Sequence, residues 1–182
     1  LSARNNQFKF DFPRNFIPEP IAKKYKPFLT RIPGGLIKEP IDYWNYGIQS
    51  LNLPGPSFDA VTQVDYPGNQ RAFRASLPKQ QLFDKTMTVT MQAFDGYVNY
   101  WMAVEMFDFY YKLSGKHPYL PEGVGVQMLD ADGTVFVTVQ LKDMFISEVG
   151  ALDLNFSSNT IEFQTFDITF GYNILDVVVN VV

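Results

Sequence analysis

The 182-residue chain contains no cysteine and one histidine, His117. The lack of cysteine excludes disulfides, thiolate metal ligands and a cysteine nucleophile together. A single histidine, set beside Pro118, leaves a catalytic triad or a zinc site without enough members. No apolar run approaches the roughly 20 residues that a membrane-spanning helix requires, and no basic-then-apolar segment opens the chain, so a soluble protein with no membrane partner is expected. Phosphate loops are missing as well. Gly123-Val124-Gly125 and Pro33-Gly34-Gly35 lack the Lys-Ser/Thr ending and the strand-to-helix setting such loops need. Asp130-Ala131-Asp132-Gly133 resembles the start of a calcium loop, but no glutamate stands at the EF-hand distance, and Asp-Gly is an ordinary hairpin turn. Glu105 and Asp108 mark the wet side of a helix and not a pocket. The expectation is a non-enzyme with no catalytic residue, cofactor or metal.

Basic charge is scarce in the second half. Residues 1–85 hold 12 Lys/Arg against 7 Asp/Glu, a net of +5, whereas residues 86–182 hold 3 against 12, a net of −9. An acidic half does not bind a phosphate backbone; it suits a surface that nucleic acid slides past. Acidic loops that simply keep an aromatic protein soluble are the alternative.

Aromatic residues are plentiful, with 17 Phe, 10 Tyr and 2 Trp. Many cluster in the stretch that organises the chain, Leu82 to Leu113. From Lys85 to Phe94, Met87, Val89, Met91 and Ala93 alternate with Thr86, Thr88, Thr90 and Gln92, the period-2 signature of a strand with two different surroundings. Asp95 is placed to cap a helix over Tyr97–Leu113, which Gly115 ends. On that helix Glu105, Asp108 and Lys112 fall in one sector, and Tyr97, Trp101, Phe107, Phe109, Tyr110 and other apolar residues cover the rest. Either the helix lies deep in its own core, or one side packs on the chain's own sheet and the other on a neighbouring subunit.

At this length one domain over 1–182 is expected. Asn6 to Phe12 alternates as a first strand, with Phe8, Phe10 and Phe12 on one side. From Pro13 to Pro40 six prolines and two glycines interrupt every pattern, predicting an extended arm or insertion loop. Tyr43–Leu53 reads as a strand, a polar loop runs to Asn69, and Arg71–Leu77 reads as a short strand. Val124–Leu129 and Thr134–Leu141 form a hairpin around Asp130–Gly133. Lys142–Asn155 is a loop, and Thr160–Tyr172 is the last long strand. Val177–Val182 is a β-prone tail whose edge nothing covers, which suggests a partner. Six or seven strands with one flanking α-helix indicate a mainly β protein, a β-barrel or sandwich.

Three stretches resemble the tail tube proteins of contractile-tailed bacteriophages. Leu82-Phe83-Asp84-Lys85-Thr86-Met87-Thr88-Val89-Thr90-Met91 is similar to the family's Phe-Asp followed by a Thr-Val-rich strand leading into a helix. Tyr46 to Gly55 resembles the strand ending in Leu-Pro-Ala/Gly. Most specific is Leu141 to Tyr172, with Lys142, Val149-Gly150, Leu152 to Leu154, Ser158-Asn159 and Glu162 to Thr169 in step with the family's carboxy-terminal half. The Pro13–Pro40 segment departs from the pattern.

The resemblance implies two packed antiparallel sheets and a helix. Homo-hexameric rings would stack into a tube for DNA ejection, bounded by sheath and by baseplate or tail terminator proteins in a virion tail assembled in the host cytoplasm. DNA would pass without specific binding. A tube-initiating baseplate ring is the alternative, and a β-barrel small-ligand-binding protein with the aromatic helix as lid is a more distant one. Thr86, Thr88, Thr90, Gln92, Thr165, Asp167 and Thr169 are the expected lumen-facing residues, since hydroxyls and carboxylates offer phosphate no cation; facing outer solvent is the alternative. Leu53, Pro54, Gly55, Tyr97, Trp101, Phe107, Phe109 and Tyr110 are the expected subunit interface.

Overall fold

The computed structural model describes residues 7–29, 39–53, 55, 61–65, 69–73, 85–113, 119–152 and 163–180. In chain order the elements are β1 (Phe8–Phe10), α1 (Glu19–Leu29), α2 (Pro40–Tyr46), β2 (Ile48–Asn52), β3 (Val61–Asp65), β4 (Asn69–Phe73), β5 (Thr86–Gln92), α3 (Val98–Leu113), β6 (Val124–Leu129), β7 (Val135–Lys142), β8 (Phe145–Val149), β9 (Thr165–Gly171) and β10 (Ile174–Val179). Two antiparallel four-stranded sheets pack on a shared core: sheet I in the order β2-β5-β9-β8, and sheet II in the order β1-β6-β7-β10. β3 and β4 form a separate hairpin. The architecture is a sandwich, and no pairing among the described strands closes it into a barrel.

The alternation read from the sequence of β5 holds. Met87, Val89 and Met91 are buried, and across the ladder they stand opposite Phe170, Ile168 and Phe166, also buried. Period-2 alternation can bury one face only when the partner strand is in matching register, and here it is. Phe10, Phe12, Phe16, Trp44 and Phe170 form an aromatic knot between the layers, with Phe12 stacked on Phe16 at 4.2 Å between ring centroids. Trp44 is fully buried, and its indole N–H has no hydrogen-bond partner among the described residues.

β7 with β8, and β9 with β10, make one long two-stranded ribbon that crosses from sheet II into sheet I. β7 pairs with β10 and β8 pairs with β9, the amide of Asn173 donating to the carbonyl of Lys142 at 3.3 Å at the bend. Asp143 takes φ 53 there, a left-handed turn that a short polar side chain tolerates. As a consequence β8 ends sheet I and β10 ends sheet II, on opposite borders of the ribbon.

Several expectations are corrected. The proline-rich segment carries an 11-residue helix, α1, where an irregular arm is predicted. Pro20 falls in the first turn, where backbone amides have no intrahelical acceptor in any case, and Ile21 and Leu29 are buried. Lys24 and Tyr25 both contact Glu105 of α3, the tyrosine hydroxyl donating at 2.8 Å. Tertiary anchoring of this kind offsets the cost of Pro27 inside the helix.

Residues 40–46 form α2, so the strand read over Tyr43–Leu53 is confined to Ile48–Asn52. Pro40 is at its first turn, and a capping box pairs Glu39 with Asp42. The polar stretch before Asn69 contains β3, and residues after Lys142 contain β8 where a loop is predicted. Asp95 does not cap α3. A 3-10 turn over Asp95–Tyr97 intervenes, with positive φ at Gly96 and Tyr97. The buried Asn99 side chain joins β5 to α3 instead: its amide donates to the carbonyl of Gln92 at 2.6 Å, and its oxygen accepts from the amide of Phe94 at 3.1 Å.

Candidate functional site

The face of sheet I directed away from the core gathers all seven expected lumen residues. Thr88 stands opposite Thr169, Thr90 opposite Asp167 and Gln92 opposite Thr165, with Thr86 at the end of the row. Antiparallel partners directly opposite share a face, so these are neighbours. The hydroxyl of Thr90 donates to the Asp167 carboxylate at 2.7 Å. Thr86, Thr165 and Asp167 are exposed, and Thr88, Thr90, Gln92 and Thr169 are half-buried.

Neighbouring strands extend the face. Ser50 of β2 lies opposite Thr90 and Asn52 opposite Thr88, while Gln49 donates from its side-chain amide to Gln92 at 2.8 Å. On the other flank Glu148 of β8 lies opposite Thr169, and the Ser147 hydroxyl donates to the Thr169 carbonyl at 2.9 Å. None of the four strands contains a lysine or arginine; the charged residues in them are Asp167 and Glu148. Chemically the face offers hydroxyls, carboxamides and carboxylates, with one aromatic ring, that of Phe145, over Gly171 at its β8 end. It can hydrogen-bond water densely, and it carries no cation with which to hold a phosphate.

The expected interface residues separate. On α3 the side chains at 98, 99, 102, 103 and 106 are buried against the sandwich. Trp101 is 54% exposed and Phe107 36% exposed on the outer side, while Tyr97, Phe109 and Tyr110 are half-buried. The Tyr110 hydroxyl donates to the Phe16 carbonyl at 3.2 Å, and burial pushes its pKa up to about 12. Burial, followed by the nearby charge of Asp95, likewise raises Tyr43 to about 12. Tyr25 is raised further by burial and by its bond to Glu105. Leu53 is half-buried, Gly55 is exposed, and Pro54 lies outside the described residues, as does His117. α3 is therefore not enclosed all round among the described residues: one side packs on the sandwich, and Trp101 and Phe107 are exposed on the other.

At the hairpin turn the Asp130 carboxylate accepts from the amides of Asp132 and Thr134 at 2.9 and 3.0 Å, and Gly133 takes φ 82. The carboxylate thus holds the turn itself. Among the described residues no three His, Asp or Glu side chains converge.

No protein-family model matches the sequence, and no curated protein does. Some solved structures are distantly similar to it. A chain of the sheath–tube complex of an extracellular contractile injection system, PVC, in the extended state, is 15% identical with a TM-score of 0.48, over 73% of this chain and 81% of that one. The anti-feeding prophage tube-terminating cap is 14% identical with a TM-score of 0.47, over 73% and 80%. An Hcp protein is 14% identical with a TM-score of 0.35, over 94% and 97%.

Sequence reasoning missed Gln49, Ser50, Asn52, Ser147 and Glu148. In β2 a register shift between Ile48 and Ser50 breaks the period-2 pattern, and in β8 another lies between Ile146 and Glu148. A bulge puts two residues opposite one, so strict alternation stops being a guide at that point. The readable signal was compositional: neither stretch holds a basic residue.

Proposed function

We propose that this chain is a structural, non-enzymatic subunit of a tube, whose copies close into hexameric rings that stack into a conduit for DNA ejection from a phage tail. The polar face of sheet I forms the bore. The observation that carries this reading is that four adjacent strands present hydroxyl, carboxamide and carboxylate groups and no basic residue. Six such sheets placed side by side make 24 strands, and at about 4.8 Å per strand with the usual tilt of roughly 35–45° they enclose a barrel about 45–50 Å across between backbones, wide enough for a duplex. Edge strands β2 and β8 supply the unpaired amides and carbonyls that neighbouring copies would satisfy. Sheath, baseplate and terminator proteins are the expected outer and axial neighbours, and the assembled tail is the expected location.

Electron microscopy of purified protein, alone and with the other tail components, tests this directly. Rings or rods with a central hole are expected, and a persistently monomeric protein ends the reading. A Thr88→Lys/Thr169→Lys variant sharpens the bore assignment. It should assemble with unchanged dimensions yet retain duplex DNA in a salt-dependent manner, since each added cation gives phosphate a partner. Assembled tubes of the variant that release DNA as freely as the wild type would place the polar face elsewhere.

A further inference from the structure

A pocket of about 640 Å³ opens between the start of α1, the last turns of α3 and residues 119–121, walled by Ile17, Pro18, Phe109, Tyr110 and Tyr119 with the exposed Arg14 beside them. No residue of sheet I lines it. Its walls are set before anything enters. Ile17 and Pro18 are buried, Tyr110 is tied by its hydroxyl to the Phe16 carbonyl, and Phe109 meets the Tyr110 ring edge-on at 5.5 Å between centroids. Rings ordered in advance lose little entropy on binding.

Around the pocket the carboxylates are engaged and two cations are not. Glu19 pairs with Lys23 at 2.7 Å, and Glu122 accepts from the Asn15 side-chain amide at 2.9 Å. Glu39 accepts a backbone amide in the capping box of α2. Arg14 and Lys26, which also line a smaller adjoining pocket of about 260 Å³, carry no ion pair among the described residues. An apolar hollow beside unpaired cations suits a segment that brings an apolar side chain and a carboxylate together.

The far end of sheet II is such a segment. From Val124 to Val139 there is no lysine or arginine, and the turn between β6 and β7 carries Asp130 and Asp132. The Asp132 side chain has no ion pair among the described residues. Phe136, just past the turn, is 51% exposed. The turn is already shaped, because the Asp130 carboxylate holds two of its amides and the Gln7 side chain donates to the Asp130 carbonyl at 3.3 Å.

We propose that this hairpin end of one copy docks in the α1–α3 pocket of a second copy, with Phe136 among the rings of Phe109, Tyr110 and Tyr119 and Asp132 against Arg14. Charge complementarity selects the occupant, and the fold forbids a chain from serving itself. Residues 119–121 come just before β6 and the turn just after it, so pocket and tip stand at opposite ends of a six-residue strand roughly 20 Å long. The contact is therefore heterologous and runs head to tail. It uses neither free edge of sheet I nor the polar face, so copies joined through β2 and β8 still present both halves of it. It rests on the tube reading only in taking a second copy as occupant.

Charge reversal tests it. Arg14→Glu and Asp132→Lys alter exposed side chains, so both variants fold. Each alone should weaken self-association about tenfold or more in analytical ultracentrifugation, since like charges then meet at the contact. The two reversals combined in one chain should restore it to within about threefold of the wild type, because the pair is again complementary. In this cysteine-free chain a Pro20→Cys/Ala131→Cys variant should cross-link between copies on mild oxidation. A combined variant as weak as the single ones shows that Arg14 and Asp132 serve different partners, and the contact is wrong. If neither reversal changes association and the cysteines do not cross-link while the wild type builds rings or rods, the contact is likewise wrong and the tube reading stands. If loss, restoration and cross-linking all occur but no hollow assembly ever forms, the contact stands and the tube reading falls.

Discussion

In sheet I the core-directed side chains of β5 and β9, from Met87 to Phe170, are all covered, and the opposite face is polar across β2, β5 and β9. In sheet II the core-directed rows begin under cover at Phe10 and Val126 and run out into solvent at Val177 and Val179. The two sheets obey the same alternation, yet among the described residues the core-directed rows are covered throughout in β5 and β9 of sheet I and not in β10 of sheet II. Sheet I shows what a surface meant to stay wet needs, hydrogen-bonding groups and little charge. Sheet II shows apolar side chains directed toward a core that, among the described residues, does not reach them.

The sharpest way to break this contrast is to truncate one side chain from each sheet. Phe170→Ala, in the covered part of sheet I, should destabilise the isolated subunit by roughly 3–5 kcal/mol through a cavity in the aromatic knot. Val179→Ala should change it by no more than about 0.5 kcal/mol, since the side chain is already half in water. Denaturant unfolding of dilute protein gives both. A comparable loss at the two positions would mean that the end of sheet II is covered within one copy after all.

A smaller effect separates two glycines at the start of β6. A Cβ added at Gly123 would lie 2.3 Å from the Leu141 carbonyl oxygen, a backbone atom that cannot turn aside, whereas one added at Gly125 meets nothing within 4 Å. Gly123→Ala should cost roughly 1–3 kcal/mol as overpacking, and Gly125→Ala should stay within about 0.5 kcal/mol. Equal thermal shifts would show that β6 and β7 can part locally, and that sheet II is loose even where it is covered.

The mildest expected effect is a pH dependence arising in the layer that covers the sheets. Tyr43 and Tyr110 ionise near 12 in the folded chain against 10 for the exposed side chain, and Tyr25 is raised as well. Because the folded state holds these protons more tightly, the stability they contribute is complete below pH 10 and declines as pH rises from there toward 12. Urea midpoints should be flat up to pH 10 and then fall, and Tyr110→Phe should make the fall shallower. A midpoint that drops equally in the variant would show that the Tyr110 hydroxyl is hydrated in the native state.

The sequence was legible wherever one strand alternated without interruption. Thr86 to Gln92, the hairpin around Asp130–Gly133 and the polar row Thr165, Asp167 and Thr169 were all read correctly, because a strand buried on one face writes its own parity. Legibility failed at α1 and α2, where prolines in first turns look like breaks until a tertiary contact holds the helix. It failed again at β2 and β8, where bulges shift the parity by one. Asn99 gave no advance sign of its role; an asparagine early in a helix does not announce that it will bridge to the preceding strand.

By itself the sequence determined the chemistry on offer: no thiol, one imidazole, a cation-free set of strands, and more aromatic surface than a small domain readily hides. Periodicity is a local property, so it survived folding unchanged. Only the tertiary structure decided which apolar residues would be left outside. Whether Trp101, Tyr111, Val177 and Val179 are covered depends on where the second layer stops and on the crossing of one ribbon between two sheets. Those are contacts between residues far apart in the chain, and no window of neighbouring residues contains them.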